Sequence, residues 1–175
     1  PYGTELESKL TPLQKRIDTF KRLSDKIGRE KVVWRYDPIL TNEQYTVTFH
    51  QDKFAEMAFA LHDYTEKCML GFIDHYPHVR SFLREFHIEP LIKEDIDAMA
   101  ISFKKTADEC SMELDTCTTK VDLSYLGISG GVCVDNRLIE RIVGYPIIAR
   151  KDKNQRDMCR CVESIDIGTY ESCLN

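Results

Sequence analysis

The chain lacks a hydrophobic segment long enough to cross a lipid bilayer, because no run of about 18 apolar residues occurs in it. It also lacks a basic start followed by an apolar stretch, so its first residues are not a secretory signal. An initiator methionine is missing too, and we therefore expect a processed protein or a piece of a longer one. Of the 175 residues, 42% are hydrophobic and 30% are charged, which predicts one soluble globular domain.

Signals for nucleotide or nucleic-acid binding are scarce. The formal net charge is −5, whereas nucleic-acid binding favours a basic surface, so we do not expect a nucleic-acid partner. The basic stretch over 150–160 is typical of a solvated loop. No glycine-rich phosphate-binding turn follows a predicted strand, and no two histidines have the spacing of a helical zinc site.

Helical and strand patterns alternate along the chain. Apolar spacing predicts helices over 12–27, from Thr48, after Pro77, over 93–108, and from Asp135 to Gly144 with Leu138, Ile139 and Ile142 facing inward. Apolar or β-rich runs predict strands over 31–36, 68–73 and 111–117, the first ending at Asp37-Pro38. This alternation predicts an α/β fold of parallel (β/α) units.

Polar residues cluster just after each predicted strand, which favours a TIM-barrel-like layout, where that end of the strands carries the site. Three strands cannot close a barrel of eight, so we expect the later part of a longer barrel. We predict a partial barrel-like domain over 1–150 and a loosely held, cysteine-containing tail over 151–175. The bare strand edges then need a partner, either the missing N-terminal part of the same protein or a second copy.

Four residues at these strand ends are candidates for catalysis. Arg35 is a permanently charged fork suited to carboxylate or phosphate, and Asp37 points to the same side of the strand. The two either bind a polar ligand or only pair with each other. Asp74, beside His75, is a candidate acid, base or metal ligand. Cys117, ending the third strand, is either a nucleophile or a small buried hydrophobe.

The seven cysteines are unevenly distributed. An odd number cannot all pair within one chain, and without a signal peptide we predict a cytoplasmic protein with reduced thiols. Four lie singly in apolar or strand-like settings, whereas Cys159, Cys161 and Cys173 crowd near the C-terminus. Thiolates favour soft metals and iron–sulfur clusters, so these three are candidate metal ligands, with a fourth ligand expected from elsewhere. Their spacing is not that of a zinc ribbon.

Three stretches carry a resemblance to a known family: VVWRYDPIL at 32–40, YTEKCMLGFID at 64–74, and KDKNQRDMCRCVESIDIGTYESCLN at 151–175. Over essentially its whole length the chain resembles DUF1848, a microbial family recorded as a domain of unknown function. In that family the tail continues into a C-x₃-C-x₂-C motif similar to the one that binds a 4Fe-4S cluster in radical S-adenosylmethionine enzymes. The resemblance implies that Cys173 is the first cofactor-binding ligand and that Cys159 and Cys161 are an accessory pair.

Three functional hypotheses stay open. The first is an iron–sulfur, radical-type barrel enzyme in the full-length protein, with S-adenosylmethionine as a further cofactor. We expect this chain alone to bind neither, because the other two motif cysteines lie beyond its end. The second is a structural zinc site in an interaction module. The third is a barrel that binds or transforms an anionic small molecule through Arg35 and Asp37.

Overall fold

The fold is built around a four-stranded parallel sheet with helices packed against it. The computed structural model describes residues 1–3, 5–7, 10–74, 79–117, 121–155, 159–165 and 167–168. Along these residues the order is α1 (Leu13–Ile27), β1 (Trp34–Ile39), α2 (Val47–Leu61), β2 (Lys67–Phe72), α3 (Arg80–Glu85), α4 (Lys93–Glu109), β3 (Glu113–Thr116), β4 (Ser129–Gly130) and α5 (Asn136–Val143). The predicted α/β class is confirmed.

The strands lie side by side in sequence order, and each neighbouring pair is parallel. Trp34 pairs with Cys68, which pairs with Leu114, so one row of side chains crosses three strands. The fourth strand is only two residues long, and no alternating or apolar strand pattern occurs at these positions in the sequence. Among the described residues the sheet is open, so a TIM-barrel-like closure is not confirmed.

One face of the sheet is apolar and carries the main core. Trp34 stacks on Phe54 of α2 with ring centroids 5.0 Å apart, and Phe54 stacks on Phe103 of α4 at 4.3 Å. Buried residues of α1, α2 and α4 belong to one cluster with the strand residues Tyr36 and Leu70. Three helices therefore pack on the same face, where burial of large aromatic side chains supplies much of the stabilisation.

The opposite face of the sheet is polar. Side chains alternate between faces along a strand, so Arg35 points away from the core, and its register partners across the sheet are Met69 and Asp115. Parallel sheets are usually covered on both faces. Here α5 has no fully buried residue. The expectation that Ile142 faces inward is wrong, since it is 44% exposed, whereas Leu138 and Ile139 are half-buried.

The first strand differs from its predicted bounds. It begins at Trp34 and continues through a cis Asp37-Pro38 peptide bond to Ile39, although we expected proline to end it. The register with β2 shifts between Tyr36 and Ile39. Because β1 is an edge strand of the described sheet and Pro38 lies at this irregularity, the missing N–H of proline is tolerated.

Helix ends mostly follow the sequence pattern. The Asp135 carboxylate accepts a hydrogen bond from the Arg137 N–H at 2.9 Å, and Gly144 ends α5 in a left-handed conformation with φ 81°. The second helix starts two residues earlier than predicted, because Thr46 is its N-cap, whereas the sequence suggested Thr48 as the cap. None of the described helices combines the length and apolar character needed to cross a bilayer.

The described part of the C-terminal tail folds back onto the domain. The N–H of Asp152 donates to the Cys161 carbonyl at 2.9 Å, and the N–H of Val162 donates to the Val134 carbonyl at 3.1 Å. Cys159, Cys161 and Val162 are buried. The expectation of a loosely held tail is therefore wrong for these residues, because backbone hydrogen bonds and burial hold them against the domain.

A buried chain of hydrogen bonds links β1 to α2. The His50 Nε2 atom lies 2.7 Å from the Leu40 carbonyl oxygen, which can only accept, so Nε2 carries the proton. Nδ1 therefore accepts from the Tyr36 hydroxyl at 3.0 Å. Burial lowers the pKa of His50, and the positive N-terminus lowers it further, although the bond to Leu40 acts in the opposite direction. His50 is thus held neutral in the folded protein.

This arrangement predicts an acid-sensitive fold. Below pH about 6.5 the unfolded chain binds a proton at His50 that the folded chain does not, so the free energy of unfolding falls as pH drops towards the lowered folded pKa. Urea unfolding between pH about 7.5 and 5 should show this decline, and His50→Gln should flatten it. His62→Gln changes an exposed histidine and should leave the slope as in the wild type. An unchanged slope in His50→Gln would contradict the assignment.

Candidate functional site

Arg35, the second residue of β1, is the centre of a polar cluster on the polar face of the sheet. Its Nη2 atom donates to Asp37 Oδ2 at 2.6 Å, and its Nη1 atom donates to Cys133 Sγ at 3.1 Å. The side chain of Arg35 is still 45% exposed. A guanidinium has five N–H donors, so a further partner can approach it from solvent.

Asp37 lies against the backbone of the neighbouring strand. A Cβ atom built on Gly71 of β2 would collide with the Asp37 carboxylate. Glycine at this position therefore gives the carboxylate its room. The predicted pairing of Arg35 with Asp37 is present, and it fixes one edge of the guanidinium.

A pair of thiols lies next to Arg35. The Cys133 thiol donates to Cys117 Sγ at 3.2 Å. Cys117 directly follows β3, and Cys133 follows β4, so two adjacent parallel strands bring the two sulfurs to one edge of the sheet. Cys133 is exposed and Cys117 is half-buried. Two sulfurs at this distance can share a proton, form a disulfide or bind one soft metal ion.

The tail adds two further thiols to this region. The Cys161 sulfur accepts hydrogen bonds from the backbone N–H groups of Cys133 at 3.2 Å and Val134 at 3.4 Å. The Cys159 sulfur accepts from the Cys161 N–H at 3.5 Å. Backbone N–H groups thus fix the positions of both tail sulfurs.

A cleft of about 670 Å³ lies between the polar face of the sheet and α5. A smaller cavity of about 90 Å³ adjoins it and is lined by Arg35, Met69 and Cys133. The larger cleft reaches the tail, because Arg160 lines it and donates to the Gly130 carbonyl. Its charged lining residues include Lys67, Glu113, Asp115, Arg137, Arg141 and Arg160. This mixed lining suits a polar ligand that carries charge.

An ion pair forms the floor of the cleft. The Lys67 ammonium pairs with the Asp115 carboxylate, which is only 8% exposed, and lies 3.4 Å from Glu113 Oε1. Burial alone would lower the pKa of Lys67, but the bond to Asp115 and the two negative charges raise it. Lys67 therefore stays charged at the base of the cleft.

Arg35 and Cys133 alter each other's pKa. Partial burial acts to lower the pKa of Arg35, yet its bonds to Asp37 and Cys133 raise it above the usual arginine range. Donation to Cys117 and partial burial raise the pKa of Cys133, whereas the positive charge of Arg35 acts to lower it. A single negative charge on the thiol pair would therefore lie beside a permanent positive charge.

Most of the candidate residues lie in one region of the structure. Direct contacts join Arg35 to Asp37 and Cys133, Cys133 to Cys117, and the Cys133 backbone to Cys161, which in turn binds Cys159. Asp74 lies half-buried two residues beyond β2, and its catalytic role stays a prediction. Cys173 and His75 lie outside the described residues. Within the described residues, no three His, Cys, Asp or Glu side chains form a group that could hold a metal ion.

Sequence reasoning missed Cys133, which we had placed among the isolated apolar cysteines. A signal was present, because Cys133 follows Gly130-Gly131 and precedes the helix cap Asp135, an order typical of a strand-to-helix turn at a parallel sheet edge. The ion pair of Lys67 and Asp115 was also missed. Its two residues occupy different strands, so only the register brings them together.

The open parallel sheet, with one helix-covered face and one polar face that borders a cleft, defines an α/β protein. The family model described as Domain of unknown function (DUF1848) matches residues 1–175. The chain belongs to this family, as the resemblance indicated. Comparison with curated proteins and with solved structures gave no match.

Gly131 lies so close to the side chains of Met69 and Asp115 that a larger residue at this position should destabilise the fold. A Cβ atom at Gly131 would lie 2.6 Å from Met69 Cε and 2.8 Å from Asp115 Cβ. Overpacking of this kind costs about 1–3 kcal/mol, so Gly131→Ala should lower the free energy of unfolding by that amount. Urea unfolding measures the effect. Gly168→Ala is the matched control, because nothing lies within 4 Å of its Cβ position. Equal stability of the two variants would contradict the packing described.

Proposed function

We propose that the intact protein is an iron–sulfur protein whose C-terminal cysteines hold a 4Fe-4S cluster beside a small-molecule site on the polar face of the sheet. The observation that supports this proposal is the environment of the Cys161 sulfur. The backbone N–H groups of Cys133 and Val134 donate to it, and the Cys133 sulfur in turn accepts from Arg35. Hydrogen bonds to ligand sulfurs are a main means by which proteins tune such clusters.

The donor set fits a cluster in its chemistry. Cys159 and Cys161 are thiols within one docked segment of the tail, and the family resemblance implies Cys173 and two later cysteines as the motif ligands beside this accessory pair. A cluster of this type supplies single electrons, which in radical S-adenosylmethionine enzymes cleave a carbon–sulfur bond. Zinc would accept the same thiolates, so metal analysis has to separate the two.

The order of strands and helices supports a barrel-like layout for the full-length protein. All four strands are parallel and adjacent in sequence order, and α1, α2 and α4 pack on one face only. In a (β/α) barrel the helices pack on the outer face of the sheet, as α1, α2 and α4 do here. A further part of the same protein, or a second copy, would then extend the sheet beside the cleft.

In this site the residues of the chain bind and orient a ligand. Arg35, fixed by Asp37 along one edge, offers its remaining donors to a carboxylate. Lys67 and Asp115 present a paired positive and negative charge deeper in the cleft, which suits a zwitterion. The mixed charges of the cleft are thus consistent with the amino-acid end of S-adenosylmethionine.

The metal content of the full-length protein tests the proposal. Protein prepared without oxygen should contain iron and acid-labile sulfide, and it should show the broad visible absorption of an iron–sulfur cluster. Cys161→Ser should lower the iron content several-fold, because it removes a ligand. Cys110→Ser is the control, since Cys110 lies buried in the main core with α4.

The outcomes separate the hypotheses. Zinc at about one ion per chain would overturn the iron–sulfur proposal in favour of a structural zinc site. A protein free of both metals would overturn it as well and leave a binding site that works through charge alone. Equal iron in the Cys161→Ser and control variants would exclude Cys161 as a ligand.

Arg35 favours a second candidate function, which is binding of an anionic small molecule without a cluster. Its guanidinium is anchored by Asp37 and yet is nearly half exposed beside a cavity. A preorganised arginine next to a cavity is a frequent way to bind carboxylate or phosphate.

Anion binding can be measured by thermal unfolding with inorganic phosphate or succinate as probes. Each bound anion should raise the unfolding midpoint of the wild type. Arg35→Gln should weaken binding by about tenfold or more, because it removes a charged hydrogen-bond donor, and Arg35→Lys should weaken it less. The control Arg22→Gln changes an exposed arginine of α1 and should bind as the wild type does. Equal binding by Arg35→Gln would rule out this candidate.

A further inference from the structure

The thiols of Cys117 and Cys133 contact each other directly, whereas the neighbouring Cys161 sulfur contacts only the backbone of Cys133 and Val134 among these residues. Their sulfurs lie 3.2 Å apart in the reduced protein, whereas a disulfide requires about 2.05 Å, so a small movement closes the gap. We propose that Cys117 and Cys133 are a redox-active dithiol that forms a reversible disulfide with low-molecular-weight disulfides such as oxidised glutathione. This inference does not depend on the proposed cluster.

Access distinguishes this pair from the other thiols. Cys133 is exposed, so a small disulfide can reach its sulfur, and Cys117 lies directly behind it. Cys68 and Cys110 are buried, so a small disulfide cannot reach their sulfurs. Exchange needs an accessible thiolate, which a buried thiol does not provide.

Arg35 holds the sulfur of Cys133 in place. Its Nη1 atom donates to the Cys133 sulfur at 3.1 Å, so a positive charge lies beside the attacking atom. Asp37 holds the guanidinium in this position through the other side of the fork.

The proposed reaction is a two-step exchange. The Cys133 thiolate attacks one sulfur of oxidised glutathione, forming a mixed disulfide and releasing one glutathione thiolate. The Cys117 thiolate then attacks the Cys133 sulfur, forming the internal disulfide and releasing the second. The two protein thiols lose two electrons and two protons, and one glutathione disulfide becomes two thiols. Excess reduced glutathione reverses both steps.

Peptide mapping by mass spectrometry tests the inference. The full chain, equilibrated with graded ratios of oxidised to reduced glutathione, should lose the mass of two hydrogen atoms. Digestion without reduction should yield one linked pair of peptides that contains Cys117 and Cys133. Arg35→Gln should slow the exchange, because it removes the cation that contacts the Cys133 sulfur.

Two variants make the test decisive. Cys133→Ser should abolish the linked peptides, and Cys110→Ser should retain them. Should Cys133→Ser fail to fold, Cys117→Ser serves instead, because it should stop the reaction at the mixed disulfide on Cys133. Pairing among other cysteines in the wild type would overturn the proposal. Mixed disulfides that persist at Cys133 with Cys117 intact would overturn it as well.

Discussion

Alternation of side chains along the parallel strands is the constraint on which the structure depends. Trp34 and Tyr36 point into the core and are packed against α2 and α4, so Arg35 between them must point the other way. The same rule places Lys67 and Asp115 opposite the core on neighbouring strands. Hydrophobic packing on one face thus fixes the register, and the register assembles the polar face.

The parallel direction of the strands then determines which groups meet at their carboxyl ends. Cys117 and Cys133 follow adjacent strands, and the first lies next to β2 through the bond of its N–H to the Leu70 carbonyl. The tail docks at this edge by backbone pairing with Val134, which brings Cys161 to the same place. Segments far apart in sequence therefore supply a cation, a carboxylate and several thiols to one region.

Much of the fold could be predicted from the sequence, because helices and buried strands leave periodic apolar patterns. The helix over 12–27, the apolar strand near 68 and the cap at Asp135 were all visible in this way. The fourth strand, Ser129–Gly130, is too short and too exposed to leave such a pattern. The partnership of Cys117 with Cys133 depends on pairing between β3 and β4, and no local signal encodes a contact between strands.

The double contact of Arg35 has a thermodynamic consequence. One guanidinium serves both a carboxylate and a sulfur, so an anion that competes for it alters the stability of a thiolate at Cys133. Linkage is reciprocal. The factor by which oxidation of the dithiol changes the affinity for such an anion also sets how far the bound anion shifts the midpoint potential of the dithiol. For a two-electron couple, a tenfold change in affinity corresponds to about 30 mV. Anion binding at Arg35 and the ratio of oxidised to reduced glutathione would then affect each other through this one side chain.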